Sequence, residues 1–407
     1  MFMSQARPKE DRGLEGAKKM KKIALTGNII LPDEVLTGGV VLIEGETIAG
    51  VYYNDNSLPE NDIEFRRYGD AWISPGLIDV HLHGALGHEV MDADVDGLKE
   101  IARHQARCGV TGFMPTTLSQ SIEAVCKAVD SVRLAAVLPL DSEVLGVHLE
   151  GPFVCMKRKG AQDPKYIMEI NREDLDRLYA AASGLKTLIT LAPEVGNNIS
   201  FIPEMVENGF VVSMGHSDET YEEGLQAVKA GVSHATHLFN AWREFQHREP
   251  GGIGAAMDSK EVYAELISDG IHVHPSFLRL AIARKGSDRI CLITDSLGVS
   301  GLSDGTYPWG ELEIVLNGRE VRLKESGVLA GSILHLNQGI RNIIDWTGAG
   351  VSEVVNMASL NPARNLGLDD VIGSLAEGKL ANIAVFDKDF RVIDTWLRGR
   401  PVLGGDL

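Results

Sequence analysis

Between about residues 71 and 371 the chain repeats one rhythm, a short apolar run followed by a helical stretch, and nothing else in it constrains the fold so tightly. The runs are ISPGLIDVHLH, VTGFMPTT, VLGVHLEG, TLITLAPE, VVSMGHS, SHATHLFN, AELISDGIHV and ICLITDS. Each run with its helix is a βα unit, and eight such units close a (β/α)8 barrel, although repetition alone also fits an open doubly wound sheet. The polar residues separate the two. An open sheet gathers its ligand at one crevice, whereas a barrel presents chemistry from the carboxyl ends of many strands. Here strands 1, 3, 5, 6, 7 and 8 end on His81 and His83, Glu150, His216, His237, His272 and Asp295. The expected fold class is therefore α/β, a TIM-type barrel over residues 71–371.

The two ends of the chain read differently. Residues 22–70 contain alternating runs such as IALTGNII and GGVVLIEGETIAGVYY, and the same alternation returns in GSLAEGKLANIAVFDKDFRVIDTWLRGR. Period-two patterns between turn signals are antiparallel strands. Residues 22–70 and 372–407 are expected to build one small discontinuous β-sandwich. Residues 1–21 are charged and lack apolar periodicity, so they read as a flexible leader, with Met20 as an alternative start.

Composition excludes several partners. A formal net charge of -18 argues against nucleic acid and anionic membranes, because no basic face offsets it. No apolar run approaches the roughly 18 residues that cross a bilayer, and the first twenty residues lack a signal-peptide core. The four cysteines, Cys108, Cys126, Cys155 and Cys291, show no C-x-x-C spacing and are too few for a disulfide framework. Reduced thiols in the cytoplasm are the expectation.

The strand-end residues are of metal-binding type. His81-Leu82-His83 sets two imidazoles on one side of a strand, since side chains repeat every second residue. An H-x-H pair alone also arises as polar packing, and a lone histidine such as His216 or His237 commonly packs in a core. Glu150 is more telling, because a carboxylate closing an apolar strand is costly to bury unless something positive meets it. Asp295 poses the same problem.

Taken in order, the strings PGLIDVHLHG, HLEGPF, KGAQDP, MGHSDE, ATHLFNA, HREPG, SDGIHV, TDS, LAGS and NPAR resemble the amidohydrolase superfamily, and within it the N-acetylglucosamine-6-phosphate deacetylases, over about residues 22 to 400. The resemblance implies that Glu150, His216 and His237 hold one divalent ion, while His81 and His83, with Asp295 shared, can hold a second. Zn2+ and Fe2+ lead among the ions, although Mn2+ and Co2+ accept the same ligands. It also implies Asp295 as general base and acid, and His272 as a catalytic group that orients the carbonyl. Ala161, Gln162, Asn240, Ala241, Leu329, Ala330 and Gly331 are implied to bind substrate. Arg248 is implied to reach a phosphorylated N-acetyl amino sugar in the neighbouring subunit of a homodimer.

His148 and His234 read as supports for the ligands, and His274, before Pro275, as a helix-entry residue. Gln162 stands where some members carry His; an amide cannot exchange a proton, so it is expected to bind substrate. Trp242 replaces a smaller residue and is expected to reshape the sugar pocket. Residues 151 to 165 could form a lid, and Cys155 within them reads as a plain thiol. GGIGAA at 251–256 lacks the preceding strand and the acidic residue of a dinucleotide fingerprint. The competing readings are an amidohydrolase acting on N-acetylgalactosamine 6-phosphate or a cyclic amide, and a sugar-phosphate sensor without activity. A cyclic amidase would place a modified lysine at strand 4, which here reads TLITLAPE; a sensor should have lost Asp295 or a ligand.

Overall fold

The structure, a computed structural model, describes residues 21–59 and 62–403. The expected leader lies outside the described residues except for Lys21. Eight apolar strands alternate with helices along the middle of the chain: Leu77–Leu82, Val110–Pro115, Val147–Glu150, Thr187–Leu191, Phe210–Met214, His234–Ala235, Tyr263–Ile267 and Ile290–Ile293. All pair in parallel with their neighbours. Parallel bridges Thr116–His148 and Leu82–Ser296 join strand 2 to 3 and strand 8 to 1, so the pairing runs around a ring. Every expected strand string contributes one of these strands.

Local chemistry sets the helices between them. Asp94 caps Val95–Arg107 by accepting from the N–H groups of Asp96 and Gly97, and Thr220 with Glu223 forms a reciprocal capping box on Tyr221–Ala230. The strand residues are buried on both faces, as a sheet sheathed in helices requires. GGIGAA lies within the buried helix Gly251–Asp258 and has no fingerprint geometry.

Both chain ends meet in one seven-stranded sheet, in which Ile383–Phe386 pairs with Ile63–Pro75 and that strand pairs with Lys22–Ile30. Leu25, Ile29, Val41, Ile43, Ile383 and Val385 bury one alternating set of side chains in its core. The strand Ile63–Pro75 runs past the expected boundary at residue 70, because Ser74 and Pro75 still pair with Ala384 and Ile383.

A further element was not anticipated. After strand 8, Gly305–Trp309, Leu312–Asn317 and Glu320–Leu323 form an antiparallel three-stranded sheet. Its apolar face packs Trp309, Ile314, Leu316 and Val321 against Leu297, Val299 and Ala330 beside strand 8. Asn317-Gly318 at the hairpin is the sequence signal that would have revealed it. Among the described residues no helix is long and apolar enough to cross a membrane.

Candidate metal centre and substrate cavity

The strand ends converge on two donor groups. In one, ligand atoms of Glu150, His216 and His237 lie within 4.8 Å of one another; in the other, those of His81, His83 and Asp295 do. Glu150 lies between them, its Oε1 at 3.0 Å from His237 Nε2, 3.2 Å from His216 Nε2 and 3.4 Å from His81 Nε2, and its Oε2 at 3.5 Å from His83 Nε2. Asp295 Oδ1 is 3.1 Å from His83 Nε2 and 3.5 Å from His81 Nε2.

Three of these residues sit at left-handed backbone angles, His216 at φ 49°, His237 at 30° and Asp295 at 51°. Such conformations cost about 1–3 kcal/mol each and persist where surrounding structure over-determines them. The surroundings are visible at Asp295, whose N–H donates to the His81 carbonyl and whose own carbonyl accepts from Ser332 N–H at 2.7 Å. Gly331 permits that approach, since a Cβ there would lie 2.8 Å from the Asp295 carbonyl oxygen.

The donor set fits a divalent cation. His216 Nδ1 donates to the Arg158 carbonyl at 2.9 Å, which leaves its Nε2 facing His237 Nε2 at 3.0 Å and Glu150 Oε1 at 3.2 Å. Two imidazole nitrogens converging with a carboxylate oxygen are the donor set a divalent cation takes. His81 Nε2 is buried without a hydrogen-bond partner. Burial disfavours a charged His81, yet Glu265, Glu150 and Asp295 overcome it and raise its pKa to about 10. A field that negative calls for a cation, and imidazole with carboxylate suits Zn2+ or Fe2+.

Glu265, which sequence reasoning missed, organises the ligands from below. Fully buried in strand 7, it accepts from His81 Nδ1, His234 Nε2 and the His237 N–H, each at 2.9 Å. A carboxylate behind a ligating imidazole fixes ring orientation and raises its basicity. His234 thus supports indirectly, as expected. His148 packs edge to face on His81, ring centroids 4.5 Å apart, and bonds Thr190 Oγ1 at 2.7 Å and the Val80 carbonyl at 3.1 Å. Glu265→Gln is expected to weaken metal binding about 10–100-fold; a competition titration against a chelator checks this, and unchanged affinity would remove Glu265 from the role.

Above the donors opens a cavity of about 230 Å³. Ala161, Gln162, Asn240, Ala241, His272, Leu329 and Gly331 line it as expected, with Trp309 and Val328 from the unanticipated sheet and the segment after it. His272 is held by Asp269, which accepts from its Nδ1 at 2.7 Å. Ala330 is not in the lining; it is buried in the apolar core of the small sheet. Gln162 is at the wall, its amide also donating to Glu150 Oε2 at 2.8 Å and accepting from Ser119 N–H at 2.7 Å. Trp242 does not shape the cavity: it is buried, with its indole N–H on the Thr236 carbonyl at 3.0 Å. His274 caps the helix Pro275–Lys285, accepting from Ser276 N–H. In the loop after strand 3, Lys157 and Arg158 both bond Asp218, at 2.6 and 2.7 Å, which ties it down beside the site. Burial pushes the Cys155 thiol up, as a plain thiol requires. Arg248 is exposed and does not line this cavity.

The comparisons with known proteins agree with this geometry. The chain matches the Amidohydrolase family over residues 72–402 and belongs to it; it is a metal-dependent hydrolase. The N-acetylglucosamine-6-phosphate deacetylase of Bacillus subtilis (strain 168) is 37% identical over 91% of this chain and 94% of its own length. An N-acetylgalactosamine-6-phosphate deacetylase of Escherichia coli O157:H7 is 36% identical over 84% of this chain and 89% of its own. The crystal structure of N-acetylglucosamine-6-phosphate deacetylase from Pasteurella multocida superposes with a TM-score of 0.88 at 29% identity, covering 93% of this chain and 99% of that one.

Proposed function

We propose that this chain, a (β/α)8 barrel with a small β-sandwich drawn from both ends, hydrolyses the acetamide of N-acetylglucosamine 6-phosphate to glucosamine 6-phosphate and acetate. The observation that carries the proposal is the joining of two donor groups at Glu150, beneath a cavity, in a chain 37% identical to a deacetylase of that substrate.

Glu150, His216 and His237 would hold one divalent ion, Zn2+ or Fe2+, and His81, His83 and Asp295 would hold a second where one binds. Such an ion would lower the pKa of water to about 7 and polarise a carbonyl. Asp295 removes a proton from the attacking water and returns it to the departing amine. His83 and His81 favour the ionised form this needs: burial raises the Asp295 pKa, but the imidazoles prevail and lower it. His272, steadied by Asp269, orients the acetyl carbonyl. Ala161, Gln162, Asn240, Ala241, Leu329, Ala330 and Gly331 shape the sugar site, Ala330 acting through the small sheet.

Among the described residues no Lys or Arg lines the cavity, so the cation for the phosphate comes from elsewhere. Arg248, exposed and without a hydrogen-bond or ion-pair partner among the described residues, supports its reaching the neighbouring site of a homodimer. Arg248→Ala should lose affinity for the phosphorylated sugar. Mixing it with Asp295→Asn subunits should restore activity at hybrid sites that have one intact set; no restoration would remove the shared site. With four free cysteines, the cytoplasm is its proposed place.

Chelation is expected to abolish acetate release and added Zn2+ or Fe2+ to restore it, whereas full activity in metal-free protein would overturn the reading. The relative from Escherichia coli O157:H7 supports a second reading, in which the galacto epimer is preferred. Comparing kcat/KM for the two epimers chooses between them.

A further inference from the structure

Away from the catalytic centre, the helix Val95–Arg107 and its C-cap bring His104 and Cys108 together, four residues apart and so on one helical face. His335, the residue before the helix Leu336–Thr347, meets them from the other side. Ligand atoms of the three lie within 4.8 Å of one another. Cys108 Sγ is 4.0 Å from His104 Nε2, and the two imidazoles stand edge to face with centroids 5.0 Å apart.

We propose that His104, Cys108 and His335 form a second metal site, separate from the catalytic donors, that takes a thiophilic d10 cation such as Zn2+ through one thiolate and two neutral imidazoles.

The donor chemistry supports this. Among the described residues neither imidazole bonds a protein oxygen, and His335 makes no side-chain cap to its helix. Burial disfavours the charged form of both rings, with His335 and Arg107 adding to it at His104. Burial holds the Cys108 thiol up at about 12, which leaves it inert without a metal. On binding, the S–H bond breaks, its proton passes to solvent and a sulfur–metal bond forms. Zn–N bonds of about 2.0 Å and a Zn–S bond of about 2.3 Å set tetrahedral donors about 3.5 Å apart, so the S···N pair needs to close by only about 0.5 Å.

Access and consequence come from position. His335 is half-buried and borders a cavity of about 150 Å³ with Asp269, Arg319 and Gln338, which provides an entry path. An ion there would fasten the helix after strand 1 to the helix after strand 8, the two that flank the closure of the barrel. Its role is to hold the ring, and it is independent of which sugar the catalytic site takes.

Sulfur makes the test selective, because the catalytic donors include no cysteine. Protein with its catalytic centre loaded with Zn2+ is titrated with Co2+. One further equivalent should bind with a thiolate-to-cobalt charge-transfer band in the near ultraviolet, and Zn2+ should bleach it. Cys108→Ala should lose the band and His335→Gln should weaken Co2+ binding at least tenfold, both with kcat unchanged. Absence of the band in the parent protein overturns the site, and so does an equal band in Cys108→Ala, which would place it on Cys126, Cys155 or Cys291. Should Cys108→Ala fail to fold, undiminished Co2+ affinity in His335→Gln overturns it alone.

Discussion

Asp295→Asn is expected to lower kcat by on the order of 10^3-fold, about 4 kcal/mol in the barrier, while substrate affinity and the ion held by Glu150, His216 and His237 stay near those of the parent protein. The amide keeps the size and one oxygen of the carboxylate but cannot accept a proton. The backbone should not move, because asparagine tolerates the left-handed angle of φ 51° well. The bond from Asp295 N–H to the His81 carbonyl and that from Ser332 N–H to the Asp295 carbonyl do not involve the side chain. Steady-state kinetics, calorimetric binding of the phosphorylated sugar and metal analysis read the three quantities. Near-normal kcat would take the general base away from Asp295. Loss of metal together with turnover would make it chiefly a ligand.

Glu150→Gln should reduce activity to background by a different route, through loss of the metal. Its Oε1 lies 3.0 Å from His237 Nε2 and 3.2 Å from His216 Nε2, so neutralising it removes the one negative charge of that donor group. Affinity should fall by more than the roughly 10–100-fold that losing an outer partner costs. Excess Zn2+ should restore part of the activity, a rescue that Asp295→Asn cannot show. The change keeps side-chain volume, so the melting temperature of the metal-free protein should move little. Full metal content at ordinary Zn2+ concentrations in Glu150→Gln would exclude it as a ligand.

The contrast between these residues and Glu265 shows how far residue patterns reach. Glu150 and Asp295 stand at the ends of apolar runs, where a carboxylate has no local reason to be, and that anomaly marked them. Glu265 presents the same anomaly inside YAELI, yet the glutamate at the centre of a strand gains its meaning only from His81 and His234, which arrive on strands 1 and 6. Trp242 shows the converse. Its neighbours in sequence suggested the sugar pocket, but its indole turns to the Thr236 carbonyl, while Gln162 lines the cavity and also bonds Glu150.

Periodicity and side-chain type by themselves determined the eight strands, their order, the two-ended sheet, and the histidines and carboxylates that close the strands. These are local properties, since a strand alternates its faces and exposes its last residues wherever it is placed. The tertiary structure alone decided how the donors meet, with Glu150 between two groups and Glu265 beneath them, which wall the small sheet adds through Trp309, and that His104 and Cys108 find His335 more than two hundred residues away. Distances between groups on different strands depend on how the ring closes, and no stretch of sequence contains that closure.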